Sequence, residues 1–166
     1  WVFGAADPSS GTAAMLEVGR GLGLMLEAGW QPKRSIRLGS WDGEEYALMG
    51  SVYHAEERRQ ELIDNAVAYL NLDTAVTGKN FGADGPSSLA DLMRWATTLV
   101  TDADTGNPLS SIWNGNVGVL GSGSDYTAFI HHLGIGSLDF RFSDGTYGVY
   151  HSTYDTLTWM DTWGDP

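Results

Sequence analysis

Apolar residues recur along this chain with two periods, and the period changes from segment to segment. Met15, Val18, Leu22, Met25 and Leu26 stand at helical spacing, which predicts a helix over 12–28, introduced by Pro8-Ser9-Ser10-Gly11 and stopped at Gly29. Residues 34–38 alternate polar and apolar, as a short strand does. Residues 45–64 read as a helix charged over its far half, and 66–72 form a near-continuous apolar run, the pattern of a strand covered on both faces. A polar loop rich in Gly and Asn occupies 74–86. Ser87 then caps a helix carrying Leu89, Leu92, Met93, Ala96 and Leu99. Residues 101–118 read as irregular, and 121–124 lead into a helix over about 125–133. A strand follows at 137–142, and a short helix runs from about 156 to Gly164. With residues 2–6 as a first strand, strand and helix alternate in series. The expected fold is α/β: a mostly parallel, mixed central sheet with helices on both faces, in one domain over 1–166.

Composition narrows the chemistry. The 166 residues include 21 acidic and 9 basic ones, for a formal charge of −12. Nucleic acid is excluded as a partner, because phosphate binding needs clustered Lys and Arg. An anionic membrane surface is disfavoured for the same reason. There is no Cys, so disulfides, thiolate metal sites and Cys nucleophiles are excluded, and any metal must be held by His, Asp and Glu. No apolar run approaches the ~20 residues that span a bilayer, and no signal peptide is visible. The chain starts at Trp1-Val2-Phe3 without Met, which reads as a piece of something longer.

In α/β sheets, function sits in loops beyond the carboxyl ends of the strands. Asp7, Asp42, Glu44, Glu45, Asp73, Asp125 and His151 all stand at such positions. Carboxylates converging on one sheet edge repel one another unless a cation sits among them, and oxygen ligands with imidazole suit Zn²⁺, Mn²⁺ or a related ion. Each residue also has a plainer reading. A lone Asp at a strand end is commonly a helix cap or turn former, and Glu44-Glu45 can simply complement a helix N-terminus. His54 reads as solvated surface, and His131 and His132 as lying near a helix end.

Five segments occur in an order that carries more information than spacing. They are residues 7–13 (DPSSGTA), 40–45 (SWDGEE), 68–73 (AYLNLD), 121–126 (GSGSDY) and 150–155 (YHSTYD). Together they resemble the peptidase domain of the glutamate carboxypeptidase and transferrin receptor family, a branch of the dinuclear zinc aminopeptidases. The resemblance implies a metal-dependent exopeptidase, amino- or carboxy-, hydrolysing peptides with a water activated by two zinc ions and a Glu base. It implies that Asp7 bridges the two ions, that Glu45 and His151 complete one site, and that Asp73 belongs to the other. The histidine partner of Asp73 would stand a few residues before Trp1. Glu44 matches the general base, and Tyr150 the hydroxyl that steadies the oxyanion. Asp42 and Asp125 are candidates for orienting ligand histidines. A cis peptide bond is expected at Asp7-Pro8. The parent would be several times longer, a homodimer through a domain outside this chain, and secreted or membrane-anchored.

The sequence departs from that pattern in places. Where the best-known carboxypeptidase of the family has an arginine patch, Asp139 replaces one arginine and Arg141 remains, and Ser124 stands where that enzyme has Asn. Broad specificity is therefore expected rather than strict release of glutamate. The rival expectation is a non-catalytic, transferrin-receptor-like module for dimerisation or ligand binding.

Overall fold

The computed structural model describes residues 2–145 and 147–164. It is a mixed α/β structure. Helix α1 spans Ser9–Glu27, α2 Met49–Glu57, α3 Arg59–Asn65, α4 Ser87–Thr97 and α5 Leu157–Trp163. The strands are β1 Tyr69–Asn71, β2 Val76–Thr77, β3 Phe81–Asp84, β4 Val117–Gly118 and β5 Ser137–Ser143. β5 is the centre of the sheet, parallel to β1 and β2 and antiparallel to β3, while β4 joins the far side of β3 in parallel.

Register explains how the sheet is covered on both faces. Tyr69 lies opposite Ser137, and Leu70 opposite Leu138, so Tyr69 and Leu138 point to opposite sides. On the Tyr69 side, Ala55 of α2, Leu62 of α3 and Phe129, Leu133 and Ile135 form one core, with Tyr69 stacked on Phe129 at a ring distance of 4.0 Å. On the other side, Leu138 packs with Ala83 of β3 and Met93 of α4, flanked by Phe81, Phe140 and Trp113. The alternation of β5 sends Leu138 and Phe140 into this second core, while Asp139 and Arg141 face the Tyr69 side.

Several elements differ from the sequence expectation. Residues 2–6 and 34–38 form no strand; 34–38 are exposed throughout and have no sheet neighbour among the described residues to complete an alternating pattern. The helix expected over 45–64 starts only at Met49 and breaks at Arg58 into α2 and α3. The apolar run at 66–72 pairs only over Tyr69–Asn71. The loop expected at 74–86 contains β2 and β3, and the stretch at 101–118 contains β4 and a 3₁₀ turn at Leu109–Ser111. The helix expected at 125–133 is a single π-helical turn, Ala128–His132. No helix among the described residues is long and apolar enough to cross a membrane.

α1 meets the sheet at its first turn. Gly11 is buried, and a Cβ there would run directly into the carbonyl oxygens of Leu72 and Asp73 at the end of β1. Ser10 Oγ donates to the Ala6 carbonyl and accepts from the amides of Ala75 (2.9 Å) and Val76 (3.2 Å). Gly11→Ala is expected to destabilise the fold by about 1–3 kcal/mol, because neither backbone can yield. A urea unfolding midpoint unchanged by the substitution would contradict this.

Candidate metal centre

Three connections bring the candidate residues together. Asp7 sits just before α1, and the Asp7-Pro8 peptide bond is cis, as the resemblance implied. Glu44 and Glu45 occupy a tight turn between Gly43, with φ of 65°, and the left-handed residues Ala47 and Leu48 that precede α2. In that turn the Leu48 amide donates to the Glu44 carbonyl at 2.8 Å. Asp73 follows β1. His151 adopts a left-handed φ of 53°, uncommon for a residue with a side chain.

Asp7, Glu44, Glu45, Asp73, Tyr150 and His151 all line one cavity of about 280 Å³. Oxygens of Asp7 and Glu45 and a ring nitrogen of His151 lie within 4.8 Å of one another. His151 Nε2 is 3.4 Å from Asp7 Oδ2 and 2.8 Å from Glu45 Oε1. Ligands about 2.0–2.2 Å from a tetrahedral ion stand a little over 3 Å apart, so this donor set fits one after a small outward shift of Glu45. Two carboxylates and an imidazole are also the chemistry such an ion takes.

The electrostatics point the same way. Burial first, then the charge and hydrogen bond of Asp73 and the charge of Glu45, with His151 opposing, together raise the Asp7 carboxyl to about 6. Asp7 thus stands between the Glu45–His151 pair and Asp73. Burial, then the charges of Asp73, Asp125, Glu45 and Asp7, raise Glu44 to about 7. The Tyr150 phenol, raised by burial and then by Asp7, stays protonated at neutral pH and can donate. Its ring stacks on His151 at 3.7 Å.

Asp42 and Asp125, the candidates for orienting ligand histidines, make the following contacts. Asp42 is exposed, and its carbonyl accepts from the Gly50 amide at 2.8 Å. Asp125 is buried, bonded to Ser51, with Oδ1 lacking a partner, and it acts on the site through its charge on Glu44. His54 is half-buried rather than solvated, with its ring 4.9 Å from that of Trp41.

Asp155 was not singled out by its sequence. It is 2% exposed, and its carboxylate accepts from the amides of Ala6 (2.8 Å) and Asp7 (3.1 Å). It therefore fastens the segment that carries His151 to the segment that carries Asp7. The hint in sequence was slight: an Asp closing the 150–155 segment, with only backbone donors to meet it. Asp155→Ala is expected to lower the unfolding free energy by about 3 kcal/mol, since two buried N–H groups lose a charged acceptor. Denaturant melts check this, and Asp155→Asn, which keeps one acceptor oxygen, should cost less.

Residues 2–163 match the profile of peptidase family M28. The chain is 43% identical over 175 residues to the probable glutamate carboxypeptidase LAMP1 of Arabidopsis thaliana, covering all of this chain and 25% of that protein. It is 43% identical over 173 residues to the probable glutamate carboxypeptidase VP8 of Zea mays, again over the whole chain and 24% of the relative. Against the aminopeptidase NAALADL1 of Mus musculus it is 36% identical over 189 residues, with 100% and 25% coverage. The chain thus spans about a quarter of the length of these relatives. With a match running through nearly every residue, the chain belongs to peptidase family M28.

Proposed function

We propose that this chain is the catalytic core of a zinc-dependent exopeptidase acting on peptides. The observation that carries the reading is that a possible metal-ligand set, a raised carboxyl and a protonated phenol line one cavity. Asp7, Glu45 and His151 would hold one ion, and Asp73, on the other side of Asp7, would serve a second. A divalent ion there supplies Lewis acidity to a peptide carbonyl and to a nearby water.

The remaining work falls to this chain's own side chains. Glu44 takes a proton from the attacking water at its carboxylate and returns it to the departing amine; a carboxyl tuned towards neutral pH suits both transfers. The Tyr150 hydroxyl donates to the negative charge that grows on the carbonyl oxygen. Asp155 holds Asp7 in place while charge moves around it. A non-catalytic relative would have no need to keep Glu44 beside the ligand set. In the intact protein, zinc content and dipeptide hydrolysis should rise and fall together through chelation and zinc return. Zinc-loaded protein that cleaves no dipeptide would overturn the reading.

A further inference from the structure

Residues 34–38 lie between two helices, as a sheet strand does, yet belong to no sheet. On one side Arg37 Nη2 donates to Glu61 Oε1 of α3 at 2.6 Å. Alternation turns Ile36 and Leu38 the other way, and Leu38 Cδ1 lies against Gly19 of α1, 3.2 Å from where a Cβ would stand. Because α3 packs through Leu62 on the Tyr69 side of β1, α1 is on the opposite side, the one that Leu70 faces. Just beyond the segment, the Trp41 indole N–H donates to the Tyr69 hydroxyl at 2.9 Å. Residues 34–38 are thus held in the sheet layer, alongside β1. Among the described residues, 31–41 make no backbone hydrogen bond.

β1 is open on the same flank, since it ends the order β1-β5-β3-β4. The Tyr69 amide donates to the Gly136 carbonyl, and in a parallel ladder the next residue turns both backbone groups away from that neighbour. Leu70 therefore offers its N–H and C=O outward, and it is 57% exposed although it lies in a strand. α1 presents apolar surface to match. Gly11, Met15, Val18, Leu22 and Met25 share one helix face. That face seats Gly11 on the end of β1, and beyond this contact Val18, Met25 and the neighbouring Leu26 are exposed. Two unpaired backbone edges and one apolar helix face border the same place, and natural sheets seldom leave such edges open.

We propose that an extended segment of a longer polypeptide, outside residues 1–166, adds as a strand between β1 and residues 34–38 and lays apolar side chains on the α1 face. Its neighbours define its chemistry. With helices on both sides it should be apolar almost throughout, as strands covered on both faces are. The relatives show that the length is there: the chain spans about a quarter of each, which leaves many segments to supply the strand. A second copy of this chain fits less well, because it brings another charge of −12 to the same contact.

Amide hydrogen exchange of the intact protein tests this without any substitution. Peptides covering 34–38 and 69–71 should exchange about a hundredfold or more slower than unstructured chain. Exchange of 34–38 at the unstructured rate overturns the proposal. The occupant is identified by a benzophenone attached at Ile36→Cys, with the photo-crosslinks mapped by peptide mass. They should include a segment outside 1–166 of the same polypeptide. Crosslinks found only within 1–166, of the same or a second copy, or on another protein, overturn it. On α1, Val18→Cys should react with a maleimide about tenfold slower than Leu16→Cys, which lies off the apolar face and serves as the control. Equal rates would show that nothing covers that face.

Discussion

Glu44→Gln is expected to lower kcat by roughly 10²- to 10⁴-fold, the range that a positioned proton-transfer group contributes. The amide fills the same space and cannot accept a proton from water. Zinc content should be unchanged, because Glu44 lies beside the ligand set without belonging to it. The ratio of kcat values on zinc-matched samples is the measurement. A variant that keeps both its zinc and its rate would show that another group carries the proton. The environment of Glu44 favours this assignment over that of Glu45. Burial and four neighbouring carboxylates push Glu44 up to about 7, whereas Glu45 contacts His151 directly at 2.8 Å.

The second large effect concerns the metal-free protein and its response to pH. Asp7 is raised from 3.8 to about 6 and Glu44 from 4.5 to about 7 in the folded state. Between those limits the folded protein binds protons that the unfolded chain has released. Stability contributed by these two groups is therefore fully present below about pH 4 and declines as pH rises through about 7. Zinc is expected to reverse the trend, because its ligands must be deprotonated and its charge would cancel their repulsion. At a thousandfold excess over Kd the ion should add about 4 kcal/mol, or roughly 10 °C in Tm for a chain of this size. The gain should be larger at pH 7.5 than at pH 5, and Asp7→Asn should largely remove it. Thermal melts with and without zinc at the two pH values decide the matter. A zinc shift that is larger at pH 5 would contradict the account.

The candidate site was more legible in sequence than the fold around it. Asp7, Glu44, Glu45, Asp73, Tyr150 and His151 lie in short segments whose residue order is itself recognisable, whatever partners later hold them in place. Strands such as β2 and β3 depend on distant partners. Phe81-Gly82-Ala83-Asp84 becomes a strand through β5, some sixty residues later, and its Gly and Asn surroundings look like loop. The reverse failure occurs at 34–38, where alternation is present and a pairing partner among the described residues is not. Helices α1 and α4 were legible because their 3.6-residue periodicity is local, although Val18, Met25 and Leu26 of the α1 stripe are exposed. Asp155 was hidden for a different reason. A buried carboxylate that meets only backbone amides leaves no second side chain to recognise.

The Asp155 fastening also bears on how the molecule comes together. Its two hydrogen bonds join residues 148 and 149 positions apart, so closing them encloses nearly the whole chain. Closing a loop that long costs more entropy than forming α1 or the β3–β5 pair, and contacts of such separation form late. On a ribosome, no ion can be captured by all three ligands until the last of them has emerged. Nascent chains that lack His151 therefore lack the complete candidate ligand set.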